Sequence, residues 1–303
     1  MLLAIAAGGG LGLLIAFGVW KANTLIAPKR NDRSVSTTIS PTNSPATSGE
    51  FTIVLTKKED FTVLSESPHV ISGLSRANVH LIISGEENDV ITTTNESGVF
   101  NAEIELVGGS NEIRISAYDD NGNEARTNLT VVYSGQFVRD ENSAASPFSY
   151  LGTVTDITDS IIQIKNISGD IQQIKGASST SYIDTRNDTT KIMKESDVAI
   201  GDYLIAMGYK NGSNVLNASR VLITAGVEET TRTSFFGSIT DTEVGEISVK
   251  NPASNRSISV TPADNLQITG VNKFSLLKTG DKIITVGEEK NDAMEARTVK
   301  VLK

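Results

Sequence analysis

Three oxygen-bearing side chains at alternate positions, Asp119, Asn121 and Asn123, form the best candidate for metal chemistry. Hard oxygen ligands in a tight loop suit calcium, and this spacing opens an EF-hand loop. The rest of that pattern is missing, because Glu124 stands where a glycine is needed and Thr130 where a bidentate glutamate is needed. Asp and Asn next to a glycine are also typical of a hairpin turn. The pattern favours a turn and leaves calcium as the alternative.

Three tyrosines in the C-terminal half, Tyr182, Tyr203 and Tyr209, are candidate ligand-binding residues. A tyrosine ring combines an apolar face with a polar hydroxyl, which suits stacking against a sugar ring. At strand spacing, several of these rings are also expected to lie in a hydrophobic core. Binding of a cell-envelope polysaccharide is therefore an alternative function, and the ligand is unknown.

The residues that common active sites need are scarce. The two histidines, His69 and His80, stand outside any HxH or HExxH motif, and no cysteine is available as a zinc ligand. The sequence has no GxSxG nucleophile motif, and its run GGGLG (8–12) lies in an apolar stretch rather than after a strand. We therefore expect no catalytic activity and no cofactor.

The charge distribution of the chain indicates which class of partner it does not bind. The chain of 303 residues has a net charge of −9, and its first 33 residues carry four basic residues and one acidic residue. The remainder therefore has a net charge of −12. Nucleic-acid binding needs a basic surface, so we expect no nucleic-acid partner.

One apolar stretch, Leu2–Trp20, has nineteen residues without a charge. As a helix it would be roughly 28 Å long, which matches a bilayer core. We expect residues 1–22 to be a retained single-pass anchor and the membrane to be a partner through Leu2–Trp20. A signal peptide cleaved near Ala22 or Ala27 is the rival interpretation, and Gly8 and Gly12 form a GxxxG pattern that would suit helix dimerisation.

The orientation of the anchor is ambiguous. Lys21, Lys29, Arg30 and Arg33 follow the helix, and the positive-inside rule would place that side in the cytoplasm. The composition of the remaining chain favours the outside instead. A start codon placed too late, with a basic segment missing ahead of Met1, would reconcile the two. We expect a cell-membrane protein with the bulk of the chain extracytoplasmic.

After the anchor, the sequence predicts a linker and then a domain of short strands. Residues 23–49 are predicted to be a linker, because Ser34–Gly49 is rich in Ser, Thr and Pro and carries no charge. Residues 50–134 contain about seven short strands separated by turns, which predicts an antiparallel β-sandwich. In one of them, Phe100, Ala102 and Ile104 alternate with polar residues, as in a half-buried strand.

Four sequence blocks of the predicted sandwich carry a family resemblance: VISG (70–73), NESGVF (95–100), GSNEI (109–113) and AYDDNGN (117–123). In this order they resemble a bacterial Ig-like domain of the glucodextranase domain-B type. The resemblance implies an Ig-like fold and an accessory or adhesive module rather than a defined activity.

The last half of the chain contains an internal repeat. GTVTD (152–156) matches GSITD (237–241), and GDYLIAMG (201–208) matches GDKIITVG (280–287). The closing block NASRV (217–221) parallels EARTV (295–299). Blocks in the same order predict two copies of one domain, residues 149–225 and 226–303, after a connector at 135–148.

Each copy resembles the bacterial domain-of-unknown-function family 5666, through its opening G-[TS]-[VI]-T, its central G-D-x-[LI]-I-x-x-G and its closing block. The resemblance implies a small OB-like β-barrel and no particular activity.

The predicted fold class is all-β: an N-terminal transmembrane helix, an Ig-like sandwich and two OB-like barrels. We expect a non-catalytic, membrane-anchored cell-surface protein with a structural or adhesive role. The alternatives are a polysaccharide-binding protein and an accessory subunit of an envelope assembly that binds a surface protein.

Overall fold

The computed structural model of the chain describes residues 51–57, 60–140, 143, 145–187, 189–227 and 230–302. Within these ranges every regular element is a β-strand, except for two short 3-10 helices at Glu195–Asp197 and Phe274–Leu276. The predicted all-β class is therefore confirmed for this part of the chain. The predicted membrane helix at 1–22 and the linker at 23–49 lie outside the described residues.

None of the helices in the described ranges is long and apolar enough to cross a membrane.

Eight strands form an antiparallel sandwich, as the alternation of apolar residues predicted. Its strands are β1 (Val54–Leu55), β2 (Thr62–Leu64), β3 (His69–Leu74), β4 (His80–Ser84), β5 (Asp89–Thr93), β6 (Val99–Ile104), β7 (Gly109–Tyr118) and β8 (Glu124–Tyr133). One sheet has the order β1-β3-β6, and the larger one has the order β2-β8-β7-β4-β5. The short strand β2, which the sequence did not predict, pairs with β8 in the parallel direction.

The core of the sandwich lies between the two sheets. In β6, Phe100, Ala102 and Ile104 are buried, whereas Asn101 and Glu103 are exposed. The larger sheet contributes the buried residues Leu81, Ile83, Ile113, Ile115, Ala117, Leu129 and Val131. Because side chains alternate across a strand, the residues between these point to the outer face of that sheet.

Two β-barrels follow the sandwich, and each closes through a ring of five strands. Barrel 1 contains β9 (Phe148–Thr158), β10 (Ile161–Lys165), β11 (Ile171–Lys175), β12 (Ser181–Asp184), β13 (Lys191–Met193), β14 (Tyr203–Lys210) and β15 (Leu216–Thr224). Barrel 2 contains β16 (Arg232–Glu243), β17 (Glu246–Lys250), β18 (Ser257–Thr269), β19 (Lys282–Lys290) and β20 (Ala293–Leu302). Barrel 2 closes in the order β16-β17-β18-β20-β19. In barrel 1, β9, β10, β11, β15 and β14 pair in the same order, and β14 pairs back with β9.

The sequence repeat is thus a repeat of topology, and the Gly-Asp turns have the same structure in both copies. The amide of Gly201 donates to the carbonyl of Val154 over 2.9 Å, and the amide of Gly280 donates to that of Ile239 over 2.8 Å. Both glycines have a positive φ, which explains the residue type at the two matched positions.

Both barrels also need a glycine where the last two strands cross closely. A Cβ atom at Gly208 would overlap the carbonyl of Asn217, and one at Gly287 would overlap the carbonyl of Glu295. Each glycine lies at a register shift of its strand pair. The two copies therefore bend their last hairpin at the same place.

Barrel 1 packs against the outer face of the larger sandwich sheet. Leu151 and Ile205 pair across β9 and β14. They share a buried cluster with Val63 of β2 and Val132 of β8. A hydrophobic contact of this kind couples the two domains.

Barrel 2 packs against the same sheet through the equivalent face. Phe236 and Ile284 pair across β16 and β19, as Leu151 does with Ile205 in barrel 1. They form a buried cluster with Ile82 of β4 and Tyr118 of β7. The larger sheet is therefore covered by the sandwich core on one side and by both barrels on the other.

The region predicted as a connector, 135–148, takes part in this packing. Phe137 is buried in the cluster that joins the sandwich to barrel 1. At the end of the region, Phe148 pairs with Thr62, so that the larger sandwich sheet continues into β9. The described residues from Phe51 onward belong to one compact unit.

Candidate functional site at the domain junction

A nearly buried ion pair joins barrel 2 to the sandwich. Nε and Nη2 of Arg297, in β20, donate to the two carboxylate oxygens of Asp89, in β5, over 2.9 and 2.5 Å. The hydroxyl of Thr298 donates to the same carboxylate over 2.7 Å. The Asp89 side chain is only 1% exposed, so these donors take the place of water around its carboxylate.

A second arginine, Arg232 of β16, is buried at the same interface. Its side chain is 3% exposed, and its Nη1 donates to Oε2 of Glu86 over 2.8 Å. Its Nη2 donates to the carbonyl of Glu112 over 2.7 Å. Burial acts to raise the pKa of Glu86, but Arg232, together with the amide of Glu112 and the charge of Arg297, outweighs it and lowers the pKa. The pair therefore holds Glu86 in its ionised form.

Aromatic rings fill the interface between these charges. The ring of Phe236 lies 5.7 Å from that of Tyr118 and 6.1 Å from that of His80, centroid to centroid. The hydroxyl of Tyr118 donates to the carbonyl of Ser234 over 2.8 Å. Burial raises the pKa of Tyr118 and lowers the pKa of His80. Phe236 and His80 thus serve domain packing.

The calcium candidates form a hairpin turn between β7 and β8. Oδ1 of Asp119 accepts from the amides of Asn121 and Asn123, each over 3.0 Å. Its Oδ2 accepts from Nδ2 of Asn123 over 2.8 Å. Asn251 of barrel 2 donates to the carbonyl of Gly122 over 3.0 Å. The arrangement is that of a turn docked on a neighbouring domain, and the turn's own donors already use the oxygens of Asp119.

A groove of about 710 Å³ lies between the sandwich and barrel 1, beside the segment that leads to barrel 2, and we call it the junction groove. Ser110 and Glu112 of the sandwich line it, together with Gln136 of the following segment and Arg220 and Thr185 of barrel 1. Its volume falls within the range of small-molecule binding sites. Neither of its carboxylates is left without a cation, because Glu86 binds Arg232 and Glu112 accepts from Nε of Arg114 over 2.9 Å.

Arg220 is the exceptional residue of the junction groove. Its Nη2 donates to Oε1 of Gln136 over 2.7 Å. Its Nε is buried and has no hydrogen-bond partner among the residues that the structure describes. Burial lowers the pKa of Arg220, but an arginine remains charged at neutral pH. The groove therefore contains a cation with a buried, unused donor.

A second cavity of about 350 Å³ adjoins the junction groove, and we call it the aromatic cavity. Ser110, Glu112 and Val227 line both spaces. Phe61 and Tyr203 contribute rings to the aromatic cavity. The remaining polar residues in its lining are Thr130, Ser149, Asn166, Ser168, Asp170 and Gln172.

Gln172 supplies the aromatic cavity with an unused acceptor. Its Oε1 is buried and lacks a hydrogen-bond partner within the described ranges. Buried polar atoms of proteins are normally paired, so an unpaired acceptor beside a cavity indicates a place for a ligand donor or a water molecule.

The three tyrosines singled out from the sequence do not form one cluster. Tyr182 is buried in the core of barrel 1, where burial and then the Glu195 carboxylate raise its pKa to about 12. The Tyr209 hydroxyl accepts from the amide of Asp140 over 2.7 Å, in the segment between the sandwich and barrel 1. Only Tyr203 lines a cavity, and burial raises its pKa.

Arg220 and Gln172 were not recognised from the sequence. Arg220 pairs with Met207, as Thr298 pairs with Val286 in barrel 2, so the two residues occupy equivalent positions. The Thr298 hydroxyl binds Asp89, whereas Arg220 faces the junction groove. An arginine in one copy of the repeat and a threonine in the other was the signal that could have identified this position. Gln172 gave no such signal.

No family model matches the chain, and no curated protein matches it. The resemblances to the glucodextranase domain B and to the domain-of-unknown-function family 5666 stay predictions.

Some solved structures share a distant likeness with the chain. A tetra-tandem repeat from the extending region of a large adhesion protein is 14% identical, with coverage of 84% of this chain and 73% of that one and a TM-score of 0.23. A calcium-stabilised, ice-binding adhesin of an Antarctic bacterium is 13% identical, with coverage of 84% and 74% and a TM-score of 0.20.

A carbohydrate acetylesterase from Xanthomonas citri is 20% identical over 25% of this chain, with a TM-score of 0.21. The match spans only 18% of the esterase. At these TM-scores, the three likenesses carry no argument for the fold or the function of this chain.

Proposed function

We propose that this protein is a non-catalytic, structural or adhesive β-module that its apolar segment Leu2–Trp20 holds at the outer surface of a cell membrane. The observation that carries the proposal is that buried contacts join three β-domains into one block. Neighbouring domains of a chain usually move relative to one another unless their interface is large and apolar. Here the two barrels cover one face of the sandwich with equivalent apolar surfaces.

The ionisable groups at the domain interface support this function. Asp89 is bound by Arg297, and Glu86 is bound by Arg232. Buried ion pairs of this kind add little net stability but strongly penalise any arrangement that separates the partners. A block with fixed domain orientations suits a protein that transmits force or presents a surface at a defined distance from a membrane.

Protease accessibility on intact cells tests the surface location. We expect an added protease to cut the Ser34–Gly49 segment and to release the block 50–303 into the medium. Protection of this segment in intact cells, with cleavage after lysis, would place the block in the cytoplasm and contradict the proposal.

Attachment of cells tests the adhesive role. Cells that lack the protein should attach less well to a surface than cells that display the full chain, and purified chain coated on that surface should compete with attachment. Equal attachment with and without the protein, at confirmed surface display, would overturn an adhesive role and leave only a structural one.

A further inference from the structure

We propose that the junction groove and the aromatic cavity together bind an acidic oligosaccharide, whose carboxylate is held by Arg220 and whose sugar ring lies against Tyr203. This inference goes beyond the proposed function, because it requires only the site and not the location at a cell surface. Three observations carry it: the unused donor of Arg220, the charge balance of the groove, and the aromatic rings beside an unused acceptor.

The first step concerns the donor. A buried polar atom without a partner costs free energy of folding, and Nε of Arg220 is such an atom beside the junction groove. Because Nε has almost no accessible surface, a ligand carboxylate would pair with it only after a small shift of the Arg220 side chain. A guanidinium presents its N–H groups in a fixed plane, which matches the two oxygens of a carboxylate. Since Nη2 of Arg220 is bound only to the neutral Gln136, the guanidinium has a hydrogen-bond partner but no counter-ion in the described part of the site.

The second step concerns charge. The chain has a net charge of −9, and its body is more acidic still, so a generic anion would be repelled. The two carboxylates that line the junction groove are neutralised locally, because Glu86 binds Arg232 and Glu112 binds Arg114. The aromatic cavity adds one carboxylate, Asp170, which accepts from Nδ2 of Asn166. Arg220 therefore gives the groove a local positive charge in an acidic protein, which can pair with one carboxylate of an acidic ligand.

The third step concerns the uncharged part of the ligand. Tyr203 and Phe61 offer ring faces in the aromatic cavity, and Oε1 of Gln172 offers an acceptor for a hydroxyl group. Ser110 lies between the two spaces, and Thr185 and Thr224 add hydroxyl groups to the junction groove. A carbohydrate has both apolar ring faces and many hydroxyl groups, whereas an acidic peptide has few hydroxyl groups to satisfy such a lining.

The test is isothermal titration of the full-length chain in detergent with two matched sugars. The first is tetragalacturonate, and the second is its methyl ester, which has the same rings without the charge. We expect binding of the acid and binding at least about tenfold weaker of the ester, since a hydrogen bond to a charged group contributes about 1.5–3 kcal/mol. This comparison needs no variant and so cannot be confused with a folding defect.

Two variants assign the binding to this site. Arg220→Gln should weaken the binding of tetragalacturonate by at least about tenfold and leave the weak binding of the ester unchanged. Arg76→Gln removes the same charge at a residue that does not line either space, and should bind like the wild type. Tyr203→Ala should weaken the binding of both sugars, because it removes the ring face.

Four results would overturn the inference. Two concern the wild type: tetragalacturonate does not bind, or the acid and the ester bind equally well. The other two are an equal loss of affinity in Arg220→Gln and Arg76→Gln, and tighter binding of a tetraglutamate peptide than of tetragalacturonate. These outcomes are independent of the protease experiment on intact cells. Either the ligand or the surface location can therefore be disproved without affecting the other.

Discussion

Arg297 in the last strand binds Asp89 in the fifth strand with two N–H groups, Nε at 2.9 Å and Nη2 at 2.5 Å. The two residues are 208 positions apart in the sequence and belong to different domains. Nη2 also donates to the carbonyl of Gly85 over 2.6 Å. Arg297 therefore fixes barrel 2 on a turn and a strand of the sandwich at once.

Arg297→Met should strongly destabilise the protein, because it leaves the buried Asp89 carboxylate without its cation. Losing one partner of a buried pair costs about 3–5 kcal/mol, and urea unfolding of the full chain measures it. The double variant Arg297→Met with Asp89→Leu should recover most of the loss. Arg186→Met, which removes a more exposed arginine, is the control. A loss as large for Arg186 as for Arg297 would contradict the assignment.

Phe236→Ala should separate the unfolding of barrel 2 from that of the sandwich. Phe236 is 1% exposed and packs against Tyr118 and His80, and truncation of a buried phenylalanine costs about 3–5 kcal/mol. We expect calorimetry to show one transition for the wild type and two for the variant. Phe274→Ala, at a partly buried position inside barrel 2, is the control and should keep a single transition. A single, merely shifted transition for Phe236→Ala would show that this ring does not couple the domains.

The stability of the protein should fall in acid partly through Glu86. Its pKa lies below the ordinary value of 4.5 in the folded state because Arg232, the amide of Glu112 and the charge of Arg297 together outweigh the effect of burial. The unfolded chain therefore binds the proton more readily, so this interaction stabilises the fold above about pH 4.5 and is lost as the pH falls through the folded pKa. At pH 7, Glu86→Gln should have a smaller free energy of unfolding than the wild type. Between pH 5 and pH 3, its free energy of unfolding should fall by less than that of the wild type. Glu105→Gln, at an exposed position, is the control and should follow the wild-type curve.

Gly208→Ala and Gly287→Ala should destabilise the two barrels by similar amounts. In each case the new methyl group would overlap a carbonyl of the neighbouring strand, and such overpacking typically costs about 1–3 kcal/mol. Gly212→Ala is the matched control, because no atom lies within 4 Å of the position that its Cβ would take. Urea unfolding of the three variants makes the comparison. If Gly287→Ala were as stable as Gly212→Ala, the two copies would not share this constraint.

Much of the fold could be predicted because local patterns encode it. The alternation in β6 placed Phe100, Ala102 and Ile104 in the core, and their burial confirms it. The matched blocks predicted two copies of one domain, and the pairing order of barrels 1 and 2 agrees. Strand β2 was missed because three residues are too few to show a period.

The candidate site could be predicted only in part. Tyr203 was singled out for its ring and lines a cavity, whereas Tyr182 was singled out in the same way and lies in a core. A tyrosine at strand spacing gives no indication of which face its strand presents to a neighbouring domain. Arg220 and Gln172 have unremarkable sequence contexts, because what sets them apart is an atom without a partner in the folded chain.

The sequence by itself determined the β-class, the repeated blocks of the last half, the glycines of the turns and the acidic net charge. These properties follow from neighbours within a few residues or from composition. Only the tertiary structure decided that both barrels pack on one face of the sandwich, that Asp89 meets Arg297, and that a groove with Arg220 opens between the domains. The physical reason is that these contacts join different domains, with residues as far apart as Asp89 and Arg297 at 208 positions, and their geometry depends on how the three β-domains fit together.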